Sequence, residues 1–166
     1  MYHPDESRTD CFEIHDLDRP PSIQLYRLQL VRDRALVYDP VTDPNQAQTV
    51  IRSITEALLK GLDRKAGIVI ALDSRNRPIG GHVVSMGTLS ASLIHPREVF
   101  KFGILANAAA LIFAHNHPSG DPSPSQDDID MSRRVVNAGH IVGIEVLDSL
   151  ITGHDTFLSL KERQLI

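Results

Sequence analysis

The segment Ala114-His115-Asn116-His117-Pro118-Ser119-Gly120-Asp121, followed by Ser125 and Asp128, holds the residues of this chain best suited to chemistry. On a strand, side chains two apart share a face, so both imidazoles can converge while Asn116 turns away. Pro118 then forces the chain off the strand. Asp128, in the first turn of a helix that Ser125 starts, can supply a third ligand. Two neutral imidazoles and one carboxylate, with a fourth position open, are the usual make-up of a catalytic zinc site. At such a position the metal lowers the pKa of a water toward neutrality. Each piece also has an ordinary reading. His-x-His alone is as often a structural or exposed pair. Ser125 with Asp128 makes a capping box that stabilises a helix by about 1 kcal/mol. The roles are compatible, because a cap fixes where the Asp128 carboxylate points. Asp121 is a rival carboxylate.

The elements that must position these residues can be read from pattern. Ala110 to His117 reads as a buried strand, and Pro118 to Pro124, with three prolines and a glycine, as a loop. A helix follows from Ser125 to Ala138, ended by Gly139, and then a strand from Ile144 to Thr152. Upstream, two apolar stretches between Ile23 and Tyr38 flank Arg32-Asp33-Arg34 and suggest two strands or a hairpin. Asp43 can cap a helix with Pro44 in its first position, Gln46 as capping-box partner, and a stripe of Val50, Ile51, Ile54, Ala57 and Leu58. Gly61 marks its stop. Ala66 to Leu72 reads as a strand covered on both faces, Asp73 to Pro78 as a turn, and Ile79 to Met86 as the returning strand. Gly80-Gly81 in it marks a bulge or a close backbone approach. Pro96 opens a helix to Ala109. The order β-α-β-β-α-β-α-β describes an α/β (α+β) domain with helices around a mixed central sheet.

Size and composition agree with one folded domain. The chain has 166 residues, 42% of them hydrophobic and 23% charged. A net charge of −4 gives no basic footprint of a dedicated nucleic-acid binder. Cys11 is the single cysteine, which excludes an internal disulfide and an all-cysteine zinc site. No apolar leader or membrane span is evident, so a cytoplasmic protein is expected. Residues 1–21 read as a flexible arm, and 22–166 as the domain, with 22–43 a strand-rich extension.

Taken whole, His-x-His-Pro, six residues, Ser, two residues, Asp is similar to the JAMM signature. A chance match of five specified positions in a chain this long is well below about one in ten thousand. The segments "GTLSASLIHPREVFK", "ANAAALIFAHNHPSGDPSPSQDDID" and "AGHIVGIEVLD" resemble the RadC family, within the JAMM/MPN-type (JAB domain) metallohydrolases. The resemblance runs from about Leu25 to the C-terminus and implies a JAMM/MPN-like, cytidine-deaminase-like single domain. RadC relatives often carry an N-terminal helix-hairpin-helix region, which this chain is expected to lack. The resemblance selects His115, His117 and Asp128 as ligands of Zn²⁺, with Ser125 helping to stabilise an oxyanion as a metal-bound water attacks an amide or isopeptide carbonyl.

The general base does not carry over. Anchored on Leu72-Asp73, the position where relatives usually place a glutamate falls on Lys65, and no glutamate stands from Arg64 through Arg97. An ordinary lysine is protonated at neutral pH and donates a proton instead of accepting one. Glu98, Asp73 and His82 are candidate substitutes, although a first-turn acid such as Glu98 also complements a helix dipole. Ser149 stands where relatives tend to have histidine. His95, His140 and His154 lack metal spacing and read as surface or structural residues. The first expectation is therefore a zinc-dependent hydrolase acting on a protein or peptide substrate. The alternative is a metal-stabilised binding module without turnover. A third reading, an accessory in DNA repair or recombination, rests on the family label alone.

Overall fold

The computed structural model describes residues 30, 40–58, 64–87, 94–154 and 156–166. The arm with Cys11, the strands expected between Ile23 and Tyr38 (of which only Leu30 is described), the Ala57 and Leu58 side chains and the stop at Gly61 lie outside those residues. The elements in chain order are α1 (Pro44–Leu58), β1 (Ala66–Leu72), β2 (Pro78–Met86), α2 (Pro96–Leu105), β3 (Ala110–Asn116), α3 (Gln126–Val142), β4 (Glu145–Thr152) and β5 (Phe157–Ser159). They form a five-stranded sheet in the order β2-β1-β3-β4-β5. Only the β3–β4 pair is parallel, joined by α3 as the crossover helix.

All seven residues of β1 are buried, because helices cover both faces of the sheet. Ala66, Ile68, Ile70 and Leu72 point to one side and pack with Val50, Ile51 and Ile54 of α1. Val69 and Ala71 point to the other and pack with Val99, Phe100 and Phe102 of α2 and with Met131 and Val135 of α3. β3 alternates in the same way. Ala110, Ile112 and Ala114 join the α1 side, while Leu111 and Phe113 join the α2/α3 side. This mixed sheet flanked by three helices is consistent with a JAB/MPN-like single domain.

Several boundaries differ from the sequence expectations, each for a local reason. Asp43 Oδ1 does accept from the Gln46 N–H (3.0 Å), but Gln46 Oε1 reaches back to the Thr42 N–H (2.7 Å). α2 stops at Leu105, not Ala109. Asn107 turns left-handed (φ 52°), and the Ala108 N–H donates to Gly103 O (2.9 Å), which closes the helix before the alanines can extend it. α3 continues through Gly139 to Val142, and the left-handed residue that ends it is Gly143 (φ 79°). Gly139 is needed for space. A Cβ there would lie 2.6 Å from the Ile144 carbonyl oxygen. The sequence pattern predicts no strand where β5 stands. At Gly81 a Cβ would collide with the Ile54 side chain, and one of the two register shifts of the β1–β2 pair falls beside Gly80, between the Ala71–Gly80 and Leu72–Pro78 pairs. No helix among the described residues is long and apolar enough to cross a membrane.

Candidate metal centre

The centre forms where the end of β3 meets the start of α3. His115 continues the Leu111–Phe113 face of the strand and is fully buried. His117 lies just past the strand end, where its N–H still donates to Thr152 O (2.8 Å) and so keeps the strand's alternation. Pro118 then turns the chain away, and the loop returns to an extended Ser125 at the cap of α3. The Ser125 Oγ accepts from the Asp128 N–H (3.2 Å), and Asp128 Oδ2 accepts from the Ser125 N–H (3.0 Å) and hydroxyl (2.6 Å). This reciprocal box holds the carboxylate against the two histidines. His115 Nε2 lies 3.0 Å from Asp128 Oδ1, His117 Nε2 lies 3.2 Å from Oδ2, and the two Nε2 atoms are 3.3 Å apart. His115, His117 and Asp128 thus present one donor atom each within 4.8 Å of one another.

Charge states follow from surroundings. Burial opposes ionisation of Asp128, but hydrogen bonds from His115, Lys65 and Ser125 outweigh it and hold its pKa well below the usual carboxylate range. Burial pushes the His115 pKa down and favours the neutral ring. Its Nδ1 is buried without a hydrogen-bond partner. His117 Nδ1 lies 2.8 Å from the Asp121 carbonyl oxygen, which can only accept, so the proton sits on Nδ1. In the neutral ring, Nε2 is then a bare lone pair facing a carboxylate oxygen. With the His115 ring and the Asp128 carboxylate beside it, that orientation is the one a metal ligand set requires, so the donor set fits a metal. Asp121, the rival carboxylate, contributes through its backbone. Its side chain accepts from the Ser123 N–H (2.9 Å), and hydrogen bonds from Ser123 keep its pKa low.

Lys65 also reaches the cluster. Its Nζ lies 2.7 Å from Asp128 Oδ1, with 17% of the lysine side chain and 5% of the aspartate side chain exposed. The antiparallel register explains why. Gly67 pairs with His115, so two residues back along β1 Lys65 falls across from His117 on the same face. Asn116, between the two histidines, points the other way and grips both neighbours of Lys65. Its Oδ1 accepts from the Ala66 N–H (2.6 Å), and its Nδ2 donates to Arg64 O (3.0 Å). In the sequence Asn116 has no task beyond facing away from the histidines. The available signal was its place between two ligands at a strand end, where an amide can pair with an edge backbone.

The other candidates lie apart from the three grouped donors. Glu98 sits in the first turn of α2, 41% exposed, with Arg97 Nε at 3.0 Å. Asp73 follows the far end of β1 from Lys65, where the backbone and guanidinium of Arg77 hold its pKa at about 2. His82 stacks on Phe102 (5.4 Å between ring centres), and burial with the nearby Lys101 charge lowers its pKa. His95 caps α2, its Nδ1 accepting from the Arg97 N–H (3.1 Å). His140 is exposed on α3, and His154 packs over Gly120. Ser149 is buried, and its hydroxyl is bonded to that of Ser132 (2.8 Å).

The family model of the RadC-like JAB domain matches residues 42–165, which include every residue of the cluster. A UPF0758 protein of Moorella thermoacetica is 52% identical over 126 residues, covering 72% of this chain and 55% of the relative. The chain belongs to the RadC-like JAB domain family. Another RadC relative, a UPF0758 protein of Desulfitobacterium hafniense, is 44% identical over 135 residues, covering 80% of this chain and 59% of the relative. One from Symbiobacterium thermophilum is 54% identical over 98 residues, or 59% of this chain and 42% of its own length. The chain spans about half the length of the curated RadC relatives it matches.

Proposed function

We propose that this chain is a zinc-dependent hydrolase of the RadC-like JAB class, which cleaves a peptide or isopeptide bond in a protein or peptide substrate. The observation that carries this reading is the convergence of His115, His117 and Asp128, with the His117 tautomer set so that Nε2 offers a lone pair. Two imidazoles and a carboxylate suit zinc among the common divalent ions. Bound there, zinc would supply Lewis acidity and lower the pKa of a water molecule. The chain's own residues then have separate tasks. Asp121 O fixes the His117 ring, and burial keeps His115 neutral as a ligand. Ser125 is an exposed residue beside the cluster, and its hydroxyl, now donating to Asp128, could turn toward a carbonyl oxygen that gains charge.

The Lys65–Asp128 pair favours a second reading, a metal-stabilised binding module without turnover. An ammonium stands where a proton acceptor would serve hydrolysis, and it donates. One experiment separates the two. The zinc-loaded parent, Asp128→Ala, Glu98→Ala and Lys65→Glu are assayed against peptide and isopeptide libraries. Cleavage by the parent that Asp128→Ala abolishes supports the hydrolase, and further loss in Glu98→Ala would assign the base to Glu98. Cleavage by Lys65→Glu alone supports the binding module. A zinc-loaded parent and Lys65→Glu variant that are both inert would remove the hydrolase reading.

A further inference from the structure

We infer that Lys65 is a built-in counter-cation that competes with the metal for Asp128, so that metal occupancy is exchangeable and not a condition of folding. The inference rests on the metal reading above and adds a regulating residue to it. Asp128 has few lone pairs to spare. Oδ1 faces Lys65 Nζ at 2.7 Å and His115 Nε2 at 3.0 Å, while Oδ2 takes the Ser125 N–H and hydroxyl and faces His117 Nε2. A cation held with His115 takes the Oδ1 lone pair that faces that ring and brings two positive charges beside the ammonium on the other, so each weakens the other's hold on Asp128. A glutamate at the same position would carry the opposite sign and draw the cation in.

The ammonium is also held in place. Asn116 pins the backbone on both sides of Lys65, through the Arg64 carbonyl and the Ala66 N–H, so the lysine backbone cannot drift from the site. Only its four-carbon stem can move. With Lys65 in place, a carboxylate buried to 4% exposure has a full counter-charge. That arrangement satisfies the requirement that a buried charge be paired, with no metal needed for the balance. One unit-charge interaction at about 4 Å and an effective dielectric of about 20 is worth roughly a thousandfold in an equilibrium constant. The head can retreat along its stem toward water and recover much of this, so the net effect on metal affinity should be about ten- to a hundredfold.

The test measures zinc affinity by competition with a chromophoric chelator, at fixed pH and ionic strength, for the parent, Lys65→Met, Lys65→Arg and His117→Ala. Urea unfolding in EDTA is run beside it. Lys65→Met should bind zinc at least about tenfold more tightly than the parent, and Lys65→Arg, which keeps the charge, should stay within about threefold. In EDTA the parent should unfold cooperatively, and Lys65→Met at lower urea than the parent. Lys65→Gln answers the same question should the methionine variant misfold. Affinity no tighter in Lys65→Met than in the parent, with binding lost in His117→Ala, overturns the competition and leaves the metal site standing. No zinc binding by the folded parent or by Lys65→Met overturns both.

Discussion

Asn116→Ala should destabilise the fold although Asn116 is neither a ligand nor part of the apolar core. Its Oδ1 accepts from the Ala66 N–H at 2.6 Å, and Ala66 is 1% exposed. Removing a partner and leaving a buried N–H unsatisfied costs about 1–3 kcal/mol. The second bond lost, to the Arg64 carbonyl, lies at an exposed residue where water can replace it, so it adds little. A total of about 2 kcal/mol corresponds to a fall in Tm of roughly 4–8 °C for a domain of this size. Asn116→Asp keeps the acceptor for Ala66 but sets its second oxygen against the Arg64 carbonyl, at an exposed position where water can come between them, so it should still lose less than alanine does. The assay is thermal and urea unfolding in EDTA, with amide exchange at Ala66 as a local readout. Asn116→Ala within about 0.5 kcal/mol of the parent, or Asn116→Asp as damaging as alanine, would refute the clamp.

Two further outcomes follow from the same geometry. Gly139→Ala should cost about 1–3 kcal/mol by urea unfolding, because its Cβ would meet the Ile144 backbone oxygen at 2.6 Å; a neutral or stabilising result would show that the helix can shift. In EDTA, His115 has its folded pKa depressed below 6.5, so the unfolded chain binds a proton that the folded chain refuses. Its contribution is therefore complete above pH 6.5 and is lost below it at up to about 1.4 kcal/mol per pH unit. Asp128, also depressed, adds a loss that begins below its ordinary 3.8. Urea midpoints from pH 8 to 3 should fall more steeply in the parent than in His115→Gln just below pH 6.5, and identical slopes would contradict the burial argument.

The grouping of His115, His117 and Asp128 is legible in the sequence because two short-range rules suffice for it. Strand alternation places His115 and His117 together, and a capping box aims Asp128. The apolar runs of β1 and β3 and the Val50, Ile51 and Ile54 part of the α1 stripe are legible for the same reason, since periodicity reports burial directly. What escaped depends on partners distant in sequence. Gly139 and Gly143 are both plausible stops by residue type, and only the approach of Ile144 shows which one is packing and which one turns. α2 ends early at Asn107 because an asparagine accepts the left-handed conformation, although the flanking alanines favour helix. β5 is three residues long, too short for alternation to register, and exists through pairing with β4. In the sequence Lys65 stands out as a missing glutamate, but its contact with Asp128 follows only from the β1–β3 register.

The most direct test of the central claim is zinc content by elemental mass spectrometry after purification with zinc supplied, for the parent, His117→Ala and Asp128→Ala. About one zinc per folded parent chain is expected, and that zinc should be lost in both variants. A folded parent that takes up no metal, or variants that keep it, would contradict the site.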